Sequence, residues 1–258
     1  MKFDLNDFDI QQDGAANSTI APPVLFTYFL VPPLVVFIFH LLVWRDWHDF
    51  HNAVFGLLQV LVLLLLLYDF SRNVWARPRP DFVERCQPQF IGVTNEFNNY
   101  TGFEDRLRDD RRIGFRWVVQ TDAATQRRER VLEIWQCREN DADGNKSLPS
   151  GHVGLISGMY TFLFLYLVGR YNPWRGYGFT HHVVLYWALV LNISYVGATR
   201  YTDFKHHLSD IALGFLSGVP VAIAIYLLHY PNPFQTHNNG VPRRRPDNFL
   251  FLEMLMGI

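Results

Sequence analysis

Three clusters of polar residues in this sequence carry side chains that can act together on a charged substrate. The last is TRYTDFKHHLSD, residues 199–210, where His206 follows Arg200 by six positions and Asp210 follows His206 by four. A helix beginning near His206 would put His206 and Asp210 one turn apart on one face. A carboxylate there can hold one imidazole nitrogen as N–H and leave the other free to attack or to bind. The middle cluster is KSLPSGH, residues 146–152. Pro149 and Ser150 are helix-start residues, and the backbone N–H groups of Ser150 and Gly151 would then form an anion site, with His152 one position inside. The first cluster is SRNVWARPRP, residues 71–80. Arg72 and Arg79 are seven apart, two turns along one helix face, and Pro80 should end that helix at Arg79. Each guanidinium is a planar fork of donors suited to a multiply charged anion. Taken singly, the clusters have ordinary readings: a solvated helix start, a capped helix, a basic flank of an apolar segment.

What could bring them together is the pattern of apolar runs. Five stretches, near residues 24–44, 53–69, 153–170, 182–198 and 211–229, approach or exceed the roughly 20 residues that cross a bilayer. Runs such as LLQVLVLLLLL are apolar all round rather than on one face. The loop RDWHDFH separates the first two spans. Pro32-Pro33 should kink the first, and Asn192 and Ser194 in the fourth need partners inside a bundle. Charge concentrates between Ser71 and Ser150, which holds 14 of the 23 Lys+Arg and 13 of the 24 Asp+Glu.

The expected fold class is therefore all-α, a polytopic membrane helix bundle of about five spans with a large soluble loop at 71–150. Residues 1–258 read as a single domain with a polar C-terminal tail at 230–258, whose last residues, NFLFLEMLMGI, are too few to span. Within the loop, residues 115–120 and 130–136 alternate like two strands of a hairpin, and 141–145 reads as a turn. Residues 1–20 are polar and acidic, so no cleaved signal is expected. The net charge of -1 argues against a nucleic-acid partner. Cys86 and Cys137, both in the soluble segment, could pair as one disulfide if that side is oxidising.

Alternation of five spans puts the ends of the second and fourth and the starts of the third and fifth on one side. Arg72 and Arg79, Ser150 and His152, Arg200, and His206 with Asp210 then share one membrane face.

Together, R-x6-RP at 72–80, PSGH at 149–152 and R-x5-H-x3-D at 200–210 resemble the three-part signature of the type 2 phosphatidic acid phosphatase superfamily. RPDFVERC and YTDFKHHLSD are similar to its eukaryotic lipid phosphate phosphatase branch, especially the fungal diacylglycerol pyrophosphate phosphatase type. The resemblance covers nearly the whole chain. It implies that His206 is the nucleophile that takes the phosphoryl group, with Asp210 orienting it, and that His152 is the general acid for the leaving oxygen. Arg72, Arg79, Arg200, Ser150 and the Gly151 N–H would bind the phosphate oxygens. It implies no metal and no cofactor, and substrates that are lipid phosphates: phosphatidate, lysophosphatidate and diacylglycerol pyrophosphate. Tyr201, Asp203, Lys205 and His207 read as packing or substrate-entry residues beside the site.

Three features depart from the family pattern. Arg72 stands where the family usually has Lys, a change of shape at a fixed phosphate site. Thr199 stands where it usually has Ser. Family members usually have six spans, and FDLND at 3–7 resembles the loop after the first of them, so the chain looks as though it lacks that span. For orientation, Arg170 and Arg175 in the short loop 170–181 and Arg243 to Arg245 in the tail favour their side as cytosolic. The sequons at Asn17 and Asn99 would put the catalytic side in the lumen or outside the cell. A third, at Asn145, would crowd the site with its glycan.

Two other classes use the same residues. One is a binding or regulatory membrane protein on this fold that has lost catalysis, motivated by Arg72. The other is a metal site formed by His152, His206 or His207, and Asp210.

Overall fold

A long apolar segment away from water must satisfy its own backbone, and the α-helix does so within one segment. The computed structural model describes residues 2–4, 8–10, 12, 14, 18–86, 118–121, 128–133, 144–171, 180–234 and 240–243. Among them are five helices long and apolar enough to cross a membrane: α1 (Pro22–Trp44), α2 (Trp47–Trp75), α4 (Gly151–Tyr171), α5 (Thr180–Thr202) and α6 (Leu208–His229). A short helix, α3 (Phe82–Cys86), follows α2. These match the five expected spans, and the protein is a helical bundle of the polytopic membrane kind.

Local chemistry explains the helix ends. Prolines occupy the start of α1, where no backbone donor is needed, and the helix continues through Pro32 and Pro33. Asp46 caps α2 by accepting from the Asp49 N–H at 3.1 Å. That cap turns most of the expected loop RDWHDFH into the first turn and a half of α2. At the other end, Ala76 takes a left-handed conformation (φ 39°) and its N–H closes on the Arg72 carbonyl.

The hairpin expected in the soluble loop is present as β2 (Val118–Thr121) and β3 (Arg128–Glu133), antiparallel, with Val119 opposite Arg130. A strand that sequence reasoning missed, β1 (Lys2–Asp4), joins the other edge of β3 and gives the order β1-β3-β2. The expected Cys86–Cys137 pair and most of the turn at 141–145 lie outside the described residues.

Helix α4 is the central post: most of it is buried, against about a third or less of each other span. Its closest partner is α6, and glycines make that approach possible. A Cβ on Gly214 would lie 2.6 Å from the Ser150 carbonyl oxygen, and one on Gly218 would lie 2.4 Å from that of Gly154. The two backbones therefore touch, as small residues allow in membrane bundles. The outer faces carry Leu42, Leu66, Phe70, Leu191 and Leu216, each more than half exposed. An apolar surface of this extent fits lipid rather than water.

A buried polar knot closes the end of the bundle away from the three clusters. Asp49 accepts from the Tyr166 hydroxyl at 2.7 Å and the Tyr230 hydroxyl at 3.2 Å, and it pairs with Arg170. His40 bridges Tyr166 and Tyr171 at 2.9 and 2.8 Å. The knot ties α1, α2, α4 and α6 together. It also pairs Arg170, one of the cations used to judge orientation, so that charge is not a free loop cation.

Candidate active site

The α4–α6 contact sets the frame of the site. The Ser150 N–H donates to the Asp210 carbonyl at 3.0 Å, which locks the start of α4 onto the first turn of α6. Against the same corner, residues 77–79 pair with 144–147: the Arg79 N–H donates to the Gly144 carbonyl at 2.9 Å, and the Ser147 N–H to the Arg77 carbonyl at 3.0 Å. These contacts bring all three sequence clusters to one end of the bundle.

Two local expectations change here. Arg72 and Arg79 do not share a helix face, because α2 stops at Trp75 and Arg79 lies beyond it in extended chain. His206 and Asp210 do not share one either. Helix α6 begins at Leu208, after His207, because the Asp210 carboxylate accepts the His207 backbone N–H at 3.0 Å and caps the start.

His206 is almost fully buried. Its Nδ1 lies 2.7 Å from the Ser147 carbonyl oxygen. A carbonyl only accepts, so Nδ1 carries the proton and Nε2 keeps its lone pair. Burial, then the positive charges of Arg79 and Arg72, hold the imidazole well below its ordinary range, with Asp210 and the Ser147 carbonyl pulling weakly the other way. The ring is therefore neutral near pH 7.

Asp210 acts on His206 through an intermediary. Its carboxylate accepts from the Ser147 hydroxyl at 2.5 Å, from the His207 ring at 3.1 Å and from Arg77 at 2.6 Å. Among the described residues it makes no hydrogen bond to His206. Ser147 thus carries both links, its hydroxyl to Asp210 and its carbonyl to His206.

The donors that could meet an anion stand around this histidine. A Cβ on Gly151 would lie 2.5 Å from the Arg72 Nη2, so the guanidinium rests directly on the start of α4. Arg72 and Arg79 act electrostatically on both His206 and His152, and Arg200 acts on His152. Arg72 Nε, Arg200 Nε, Ser150 Oγ and His152 Nε2 are all buried with no hydrogen-bond partner among the described residues. Buried polar atoms normally have partners. Buried donor atoms of Arg72, Arg200 and Ser150 that lack acceptors among the described residues suit a small oxyanion with several oxygens.

The pairings of the neighbouring residues escaped the sequence reading. Asp203 is not packing: it pairs with Arg200 at 2.9 Å and accepts from the Thr19 N–H and hydroxyl at 2.9 and 2.6 Å. Lys205 pairs with buried Asp81 at 2.9 Å, and Arg85 joins at 2.8 Å. Arg77 and Ser147 were visible as polar residues inside or beside the clusters, but their partners are far away in sequence. Thr19 was visible only as the last residue of the sequon at Asn17. No three His, Cys, Asp or Glu side chains group as metal ligands among the described residues.

A family model described as the PAP2 superfamily matches residues 53–234. The chain belongs to the PAP2 superfamily. This PAP2 chain is 29% identical over 211 residues to lipid phosphate phosphatase 2 of Arabidopsis thaliana, covering 82% of the chain and 62% of the plant protein. It is 28% identical over 247 residues to the probable diacylglycerol pyrophosphate phosphatase 1 of Schizosaccharomyces pombe, covering 93% of the chain and 75% of that protein. With diacylglycerol pyrophosphate phosphatase 1 of Saccharomyces cerevisiae the identity is 25% over 246 residues, covering 89% and 71%. The chain thus spans less than two thirds of the length of the plant relative. No solved structure matches it.

Proposed function

We propose that this PAP2 protein is an integral membrane lipid phosphate phosphatase that works without a metal through a phosphohistidine. The observation that carries the reading is His206: buried, neutral, its Nδ1–H held by Ser147, beside Arg72, whose buried Nε has no acceptor among the described residues. In the first step the His206 Nε2 lone pair attacks phosphorus and the P–O bond to the leaving group breaks. His152, in its protonated form, gives the leaving oxygen a proton from Nε2. In the second step water attacks phosphorus as His152 takes its proton, the P–N bond breaks with its electron pair returning to His206 Nε2, and inorganic phosphate leaves with His206 neutral again. Arg72, Arg79, Arg200, Ser150 and the Gly151 N–H would hold the phosphate oxygens as negative charge builds. Splitting hydrolysis in two lowers each barrier.

The lipid class rests on the bundle and on the relatives. A substrate anchored in the bilayer presents its phosphate at a membrane face, where the site stands. The names of the relatives point to lipid phosphates and diacylglycerol pyrophosphate as substrates. The catalytic face would be lumenal or extracellular. A glycosidase-sensitive mass shift lost in Asn99→Gln tests that orientation, and a cytosolic epitope tag at residue 99 would overturn it.

The deciding experiment is phosphate release from detergent-solubilised protein with phosphatidate and diacylglycerol pyrophosphate, under excess chelator. Wild type should turn over and His206→Ala should not. Equal release by both would end the histidine mechanism. No release by either would favour a binding protein on the same fold, and Arg72→Lys, which restores the usual family residue, would then be tried for recovery.

A further inference from the structure

Residues of the N-terminal segment ahead of α1 make a series of contacts to the catalytic end of the bundle. The Gln12 N–H donates to the Pro80 carbonyl at 3.0 Å, directly after Arg79. The Gly14 N–H donates to Glu84 at 2.6 Å, and a Cβ on Gly14 would lie 2.6 Å from the Asp81 carboxylate. Ile10 and Ile20 are buried. At the end of the segment, Thr19 donates twice to Asp203, from its N–H at 2.9 Å and its hydroxyl at 2.6 Å. Asp203 in turn holds Arg200 at 2.9 Å, and Arg200 is buried.

We propose that Thr19 is a positioning residue of the phosphate site, setting Arg200 through Asp203. This rests on the phosphatase reading above. A carboxylate beside an arginine can rotate and draw the guanidinium with it. Two donors from one residue fix both Asp203 oxygens, so Arg200 Nε stays free for a phosphate oxygen. The anion-binding arginine is thus set by a residue of a segment far from it in sequence.

The test compares wild type, Thr19→Val and Thr19→Ser in detergent, all carrying Asn17→Gln because Thr19 completes the sequon at Asn17, with orthovanadate as the phosphate analogue. Serine keeps the hydroxyl, and valine keeps the shape without it. Losing one hydrogen bond to a charged group should raise the orthovanadate inhibition constant of Thr19→Val by about tenfold, with Thr19→Ser within about twofold of wild type. A purely structural role would lower the thermal midpoint and leave the orthovanadate constant unchanged, and that result overturns the proposal. Equal loss in Thr19→Ser and Thr19→Val also overturns it. If Thr19→Val does not fold, Thr19→Ala takes its place with the same expectations. A wild type that neither binds orthovanadate nor releases phosphate would instead overturn the phosphatase reading itself.

Discussion

Removing one hydroxyl, that of Ser147, separates two ways in which Asp210 could reach the nucleophile. Ser147→Ala deletes the 2.5 Å hydrogen bond to the fully buried Asp210 carboxylate and keeps the backbone carbonyl that holds His206 Nδ1. Asp210 retains His207 and Arg77, so the carboxylate is not stranded. Hydrogen bonds to charged groups contribute about 1.5–3 kcal/mol, and each 1.36 kcal/mol in a barrier is a factor of about ten. Taking the lower end, because two other donors remain, kcat should fall by about tenfold. Stability should fall by about 1–2 kcal/mol, since a buried acceptor loses a donor. The assay is steady-state phosphate release from phosphatidate, with the thermal midpoint measured in the same detergent. Were Asp210 to orient His206 directly, Ser147→Ala would lower the midpoint and leave kcat untouched. An unchanged kcat alongside a lowered midpoint would therefore refute the relay through Ser147.

Other substitutions probe other parts of the same arrangement. Gly151→Ala would place a methyl 2.5 Å from the Arg72 guanidinium, the movable end of a flexible side chain, so phosphate affinity should fall several-fold with little change in thermal midpoint. Gly218→Ala instead drives a methyl to 2.4 Å from the Gly154 backbone oxygen, which cannot yield cheaply. It should cost about 1–3 kcal/mol or more and appear as a lower midpoint in a detergent melt. His152→Ala should lower turnover of phosphatidate by about two to four orders of magnitude, and far less for an aryl phosphate, in parallel rate assays. For pH, the folded-state pKa of His206 lies well below the unfolded value of about 6.5, so the unfolded chain binds the proton first as pH falls. Stability present above about pH 6.5 is then lost below it, at up to about 1.4 kcal/mol per pH unit, and His206→Gln should remove that slope from the thermal midpoint.

Membrane architecture was legible because it is a property of composition. Runs of about 20 apolar residues have few structures open to them in lipid, whatever surrounds them. The helix ends were less legible, because a cap needs a partner. Helix α2 gains its first turn from Asp46, and α6 starts after His207 because Asp210 reaches back to it. The chemistry-bearing residues could also be read, since Arg72, Arg79, Ser150, His152, Arg200, His206 and Asp210 are rare types at the ends of apolar spans and alternate crossing sorts those ends onto one face. Two G-x3-G spacings, Gly154 with Gly158 and Gly214 with Gly218, were available signals for the α4–α6 contact and went unread.

The partners of the reactive groups were decided only by the tertiary structure. The pairing of His206 with the Ser147 carbonyl spans 59 positions, and that of Thr19 with Asp203 spans 184. Sequence spacing describes what one helix or turn can bring together, and it favoured Asp210 as the partner of His206. Once backbone contact between α4 and α6 carried Ser147 into the same corner, a carbonyl stood nearer the ring than the carboxylate did. A hydrogen bond follows the nearest well-aimed acceptor, so packing, and not spacing, chose which atom holds His206.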